Sequence, residues 1–292
     1  PTDHPASFAV SVTADTPALQ WTTHLPDARL AARQSITLAT SATLPVPPAH
    51  AGPGEGAAGG VITISLRPDT GGPAVQAQIP YVVASAVPKL ADASAMDIPE
   101  GQGLLLKADT RDAIVNLFSA EPNPVMHWQG PADLSATARV AYTPDALYLH
   151  VIATDDTHVQ PHRGAEIWRS DNIQFAIRTD DSRPEYFEAG LALGDDGKPQ
   201  GWIYTLPPGS PLALGVIGKP IIYSVKHDGK QTHYIVRVPW KSLGNDGPPA
   251  SGFRMNFIVN DDDGQGRKGW VQLSDGIGKE KNADLFPLFV CN

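Results

Sequence analysis

The sequence predicts an all-β chain of two β-sandwich domains. Three observations carry that reading. Glycine (27) and proline (28) are both abundant among the 292 residues, and short elements joined by Gly/Pro turns suit strands better than helices. Segment after segment alternates apolar and polar residues with period two, as half-buried strands do. No amphipathic helical stretch of about ten residues or more stands out. The length gives a soft indication of two domains.

Residues 1–95 read as a small Ig-like accessory sandwich. Its strands are SFAVSVT, SITLATSATL, VITISLRP and AVQAQIPYVVA. Between them PVPPAHAGPGEGAAGG, residues 45–60, carries too much Pro and Gly for a regular element and reads as a loop. Trp21 and His24 read as core or surface residues, not site residues. Residues 90–99 read as a connector. The second domain, residues 96–292, has a sharper pattern. GLLLKA and AIVNLF are short strands, and ATARVAY pairs with LYLHVIA across a turn at Pro144-Asp145. NIQFAIRTD and EYFEAGLALG continue the meander. IIYSVKHDGKQTHYIVRVPW is a hairpin with Asp228-Gly229 at its tip, a strong short-range hairpin signal. WKSLG reads as one helical turn, and FRMNFIVNDDDG with KGWVQLS as the last strand pair.

Composition removes some function classes. A hydrophobic share of 41% and a charged share of 18% are globular values. The net charge of -9 argues against binding a phosphate backbone. No apolar run approaches the roughly 18 residues of a membrane span. The one cysteine, Cys291, can form no internal disulfide, and a near-terminal thiol is poorly placed for catalysis. A chain that begins at Pro1 is expected to be a mature secreted product or a piece of something longer.

The most informative stretch is DDTHVQPHRGAEIWRSDNIQFAI, residues 155–177. Trp168 stands three residues before Asp171 and six before Gln174. On a strand beginning near Asn172, Gln174 and Ala176 share one face, and Ile173, Phe175 and Ile177 the other. The pattern gives an aromatic platform beside polar groups at the lip of a sheet, which suits a sugar ring and its hydroxyls. The alternative is an edge-of-core Trp and a turn-capping Asp.

Four separated segments carry a family resemblance. DALYLHVIATDDTHVQP, EIWRSDNIQFAI, HYIVRVPWKSL and FRMNFIVNDDDGQGRKGWVQLSDGIGKEKNADLFPLF, taken with their order and spacing, resemble the family 9 carbohydrate-binding modules over residues 103–292. The resemblance implies a CBM9-like antiparallel sandwich, a carbohydrate ligand and structural calcium. It also implies that the chain is the C-terminal, non-catalytic part of a larger secreted or periplasmic glycan-degrading enzyme, with a catalytic domain upstream. By position, Trp168 matches the sugar-stacking Trp and Asp171 the motif's Asp. Gln174 stands where sugar binders have a Glu. Glu188 stands in place of an Arg, and Ile258 in place of a polar residue. The second stacking Trp is missing, because GIGKEKNADLF, residues 276–286, has no aromatic before Phe286. Lys279, Glu280, Lys281 and Trp202 are candidates to replace lost contacts, Lys279 foremost.

Calcium takes about six to eight oxygen ligands. Asp155, Asp156, Asp261, Asp262 and Asp263 are the candidates, the last three within NDDDGQG. The run is not an EF-hand, since Gln272 occupies the twelfth position of a loop starting at Asp261. Solvated hairpin carboxylates are the plain alternative. His158 and His162 are four apart with Pro161 between them, so they do not make a helical zinc pair. Met126 and His127 are adjacent and cannot both be axial ligands of one haem iron. Two further function classes remain. One is a scaffold pair that binds no glycan. The other is a two-carboxylate glycosidase drawing on Glu166, Asp171, Asp181, Glu185 and Glu188.

Overall fold

The computed structural model describes residues 6–14, 20–22, 28–30, 41–43, 59–68, 73, 75–82, 84–91, 96–118 and 126–292. His24 and nearly all of the 45–60 loop lie outside them, and of Trp21 only the backbone is described. The chain divides into two units, Pro1–Ala49 with Ala58–Val83, and His50–Ala57 with Ala84–Asn292. In the first, β1 (Ala6–Ala14), β2 (Gln20–Thr22), β3 (Ala28–Leu30), β4 (Ser41–Thr43), β5 (Gly59–Pro68) and β6 (Val75–Val82) are all paired antiparallel. Four of them form a sheet in the order β3-β1-β5-β6, and β2 pairs with β4.

The second unit is a sandwich. Its first sheet runs β16 (Ile222–Asp228), β17 (Gln231–Pro239), β11 (Ala146–Asp155), β10 (Leu134–Tyr142), β8 (Leu104–Ala108). Its second runs β15 (Gly215–Val216), β14 (Pro199–Thr205), β13 (Phe187–Leu193), β12 (Asn172–Arg178), β18 (Phe253–Asp261), β19 (Gly269–Gln272), β9 (Ile114–Asn116). β20 (Leu288–Cys291) joins the second sheet antiparallel to β18 and parallel to β7 (Ala84–Val87). By sequence, Ala84–Val87 sat in the N-terminal block; they form a strand of the larger unit. Among the described residues, helix is confined to 3-10 turns, including Gly164–Arg169 and Trp240–Leu243, the latter at the expected WKSLG turn. No described helix is long and apolar enough to cross a membrane.

The all-β expectation is met, and the hairpin tip forms where Asp228-Gly229 predicts it. Gly229 has φ 63, a left-handed conformation that glycine adopts without steric cost. Val140, Leu149, Val151 and Val236 from one sheet pack with Phe175, Phe187, Phe257 and Val259 from the other. Trp240 closes one end against Phe253, ring centroids 5.6 Å apart, while its indole N–H donates to the Thr143 carbonyl at 3.0 Å. Cys291 lies half-buried in β20, where burial pushes its thiol up to about 11 and keeps it protonated at neutral pH.

The middle of the second sheet, β12, β18 and β19, is buried on both faces, while β14 and β15 at its edge are partly exposed. All seven residues of β12 are buried. Ile173, Phe175 and Ile177 face the sandwich core, while Ala176 lies under a second apolar cluster with Val115, Tyr186, Ile258, Trp270, Ile277, Ala283 and Phe286. The segment 276–286 supplies three of those residues and folds over that part of the outer face. Phe257 faces the core opposite Phe175 and is fully buried. Phe257→Ala is therefore expected to lower the unfolding free energy by about 3–5 kcal/mol in urea denaturation.

Candidate functional site

Ile167, fully buried, anchors the 3-10 turn and sets Trp168 beside it at the surface, 38% exposed. Next to it, on the outer face of the second sheet, runs a hydrogen-bonded chain of polar side chains. Arg267 Nε donates to Asn260 Oδ1 at 2.7 Å. Asn260 Nδ2 donates to Asn172 Oδ1 at 2.5 Å and to Gln174 Oε1 at 3.2 Å. Gln174 Nε2 donates to Glu188 Oε1 at 3.0 Å, and Lys281 Nζ meets the same oxygen at 2.5 Å. The Arg267 guanidinium lies 4.4 Å from the Trp270 ring centroid and 5.5 Å from that of Trp168. Burial pulls its pKa down to about 10, still charged at neutral pH. Two buried atoms of this chain have no hydrogen-bond partner, Arg267 Nη2 and Glu188 Oε2. Burial, with the Glu188 carboxylate added, raises the Tyr186 and Tyr204 hydroxyls above the ordinary phenol range, and the Tyr186 hydroxyl also hydrogen-bonds that carboxylate.

The structure brings Gln174 and Glu188 together near Trp168 and separates the other expected residues. Asp171 does not join them. It is 2% exposed and faces inward, its Oδ2 accepting from the Val159 amide at 2.6 Å and its Oδ1 from the Asp262 amide at 2.8 Å. Asp171 and Glu188 thus lie on different sides of the sheet and cannot flank one glycosidic bond. Lys279 lines a separate cleft with Asp112, Asn116, Asp275 and Glu280; Lys281, two residues on, reaches Glu188. Ile258 belongs to the apolar cover, and Asn260, two residues along the strand, brings the amide. Trp202 packs beside Gly164, where an added Cβ would lie 3.3 Å from the ring. Sequence reasoning missed Arg267. The one signal for it was a cation ahead of Trp270 in GRKGW.

Of the five carboxylates expected to hold calcium, Asp156 and Asp262 stand apart, while Asp155, Asp261 and Asp263 bring donor atoms within 4.8 Å of one another. The Lys268 ammonium sits in their midst, 2.6 Å from Asp133, 3.1 Å from Asp261 and 2.6 Å from Asp263. Burial opposes its charge, but Asp261, Asp133 and Asp263 outweigh that and hold its pKa above the ordinary range. Asp262 is spent on the loop backbone, accepting from the amides of Gly264 at 2.8 Å and Gly266 at 2.9 Å and from Ser170 Oγ at 2.6 Å. Asp156 is exposed and lies with Asp133 and Asp263. A divalent ion at that centre would meet the ammonium, so the donor set does not fit calcium there. Burial lifts Asp155 to about 6 and Asp261 to about 8, and Asp171 well above the carboxylate range with the Asp155 charge adding to it.

The model of a family described as "Carbohydrate family 9 binding domain-like" matches residues 115–289. A family 9 carbohydrate-binding module from Caldicellulosiruptor kristjanssonii in complex with cellotriose superposes with TM-score 0.51 at 12% identity, over 72% of this chain and 94% of that one. The same organism's module in complex with glucose gives 0.49 at 12%, over 72% and 96%. A protein of Bacteroides uniformis ATCC 8492, described as a "putative carbohydrate-binding protein", gives 0.48 at 11%, over 72% and 100%. At these identities the likeness is one of fold. No curated protein matches the chain.

Two outcomes follow from the acidic end. Lys268→Met leaves the buried Asp133 and Asp261 and the partly buried Asp263 without their cation and is expected to cost about 3–5 kcal/mol in urea denaturation. The second concerns pH in the metal-free protein. Asp155 and Asp261 keep protons in the folded state at pH values where the unfolded chain, near 3.8, has released them. The folded state then binds more protons, so stability falls as pH rises from about 4 through about 8. Thermal melts in chelator are expected to show that decline, flattened in Asp261→Asn.

Proposed function

The chain belongs to the carbohydrate family 9 binding domain-like family, and from that premise we propose that its larger unit binds a carbohydrate non-catalytically on the outer face beside Trp168. The observation that carries the reading is the pair of unpartnered atoms in the polar chain. Arg267 Nη2 is a donor and Glu188 Oε2 an acceptor. A buried polar atom left unpaired costs roughly 1–3 kcal/mol. Sugar hydroxyls donate and accept, so one ligand class suits both ends of the chain. The exposed Trp168 ring offers the apolar face that a pyranose stacks on. From the same premise we propose that the chain is an accessory region of a secreted or periplasmic glycan-degrading enzyme, with a catalytic domain upstream.

A second reading has its own observation. Glu188 is 1% exposed and sealed by Lys281, which favours a scaffold that binds no glycan. Titration by NMR or calorimetry against a panel of gluco- and xylo-oligosaccharides separates the two. Binding is expected with Kd on the order of 1 mM, and Trp168→Ala is expected to weaken it about tenfold or more, since 1.4 kcal/mol is tenfold. Because the ring is 38% exposed, the variant should melt within a few degrees of the parent. No binding by the parent at millimolar sugar favours the scaffold.

A further inference from the structure

The loop that carries Trp168 leaves β11 at Asp155 and returns to β12 at Asp171. His158, between them, is held in one tautomer. Its Nε2 lies 3.0 Å from the Leu193 carbonyl oxygen, which can only accept, so Nε2 carries the hydrogen. The ring is stacked on His227 with centroids 4.9 Å apart. Nδ1 is thereby left as a lone pair. That atom is buried, has no hydrogen-bond partner, and lies 3.5 Å from Asp171 Oδ2. Two electron-rich atoms facing each other in a buried place repel unless a cation or proton stands between them.

The donor atoms of Asp155, His158 and Asp171 all lie within 4.8 Å of one another. The Lys268 ammonium neutralises the neighbouring Asp133, Asp261 and Asp263 and makes no ion pair with this trio. All three side chains are oriented from behind. Thr157 N donates to Asp155 Oδ1 at 2.9 Å, the amides of Val159 and Asp262 hold Asp171, and Leu193 holds the imidazole. Supporting bonds of this kind are what fix metal ligands in place. Ligands about 2.0–2.2 Å from a tetrahedral zinc stand roughly 3.4 Å apart, close to the Nδ1–Oδ2 separation here.

We propose that Asp155, His158 and Asp171 bind one transition-metal ion of the zinc class, which braces the base of the loop presenting Trp168. The imidazole nitrogen decides the class. Calcium takes oxygen donors, while imidazole suits zinc, copper and nickel. The site adjoins the lysine-filled carboxylates, sharing Asp155 with Asp261 and Asp263, and does not depend on any sugar being bound.

The test uses the whole chain stripped with chelator, then given zinc, cobalt(II) or calcium alone. Zinc is expected to bind one per chain by native mass spectrometry. It should raise the melting temperature by roughly 5–10 °C at a hundredfold excess over its Kd. Cobalt(II) should give visible absorption bands of nitrogen-containing coordination, and calcium no shift. His158→Gln should lose both the shift and the bands, and His162→Gln should keep them. Asp155→Asn gives the same reading should His158→Gln not fold. The proposal fails if zinc leaves the parent's melt unchanged, if the zinc shift survives in the His158 or Asp155 variant, or if calcium gives the larger shift.

Discussion

Burial of the middle of one sheet on both faces is the constraint on which the rest of the larger unit depends. A sheet in a two-layer sandwich normally keeps one face wet. Here the segment 276–286 lies over the outer face, so Gln174, Glu188 and Asn260 are as enclosed as core residues. Enclosed polar groups must find partners within the protein. They do so as one chain, Arg267–Asn260–Gln174–Glu188–Lys281, with a cation at each end and a carboxylate near one of them. The same rule governs the end of the sandwich, where seven aspartates gather and Lys268 supplies the one buried ammonium.

The two polar systems are physically different. The outer chain is nearly balanced in charge and leaves one donor and one acceptor unmet, an arrangement suited to neutral hydroxyls. The acidic end carries excess negative charge even after Lys268. Its relief comes by protonation, which the raised Asp155, Asp171 and Asp261 values express, or by a further cation. Asp171 belongs to the second system although it stands one residue from Asn172, which belongs to the first. The alternation of a strand sends neighbours to opposite faces, and it divides the W-x-x-D motif between two jobs.

That division shows what the sequence made legible. Period-two alternation located the strands, Asp228-Gly229 located a hairpin, and the run around Trp168 located the exposed aromatic. The same alternation already implied that Asp171 could not share a face with Gln174. Long-range pairing was not legible. Lys268 meets Asp133 across 135 positions and Lys281 meets Glu188 across 93. In DDDGQGRKG the lysine reads as a surface charge beside a calcium-like loop, because nothing local says that it turns inward. Lys279 and Lys281 are equivalent as letters; only the path of the loop over Phe286 decides which one arrives.

Arg267 bears most on what the outer face can still hold. A sandwich of two Trp rings would grip a sugar from both sides, and segment 276–286 lacks the second ring. Trp270 is buried under that segment, and Arg267 lies against it while also reaching toward Trp168. A desolvated cation–π contact contributes about 2 kcal/mol, against about 0.5–1.5 kcal/mol for an aromatic stack beyond its buried area. With Asn260 also holding the guanidinium at 2.7 Å, a ligand does not displace it. Under the proposed reading, a sugar takes the solvent side of Trp168 and meets Arg267 edge-on through Nη2. One stack plus a charged donor makes a weaker and more orientation-dependent site than two facing rings, and it selects for a hydroxyl at a fixed distance from the stacked face.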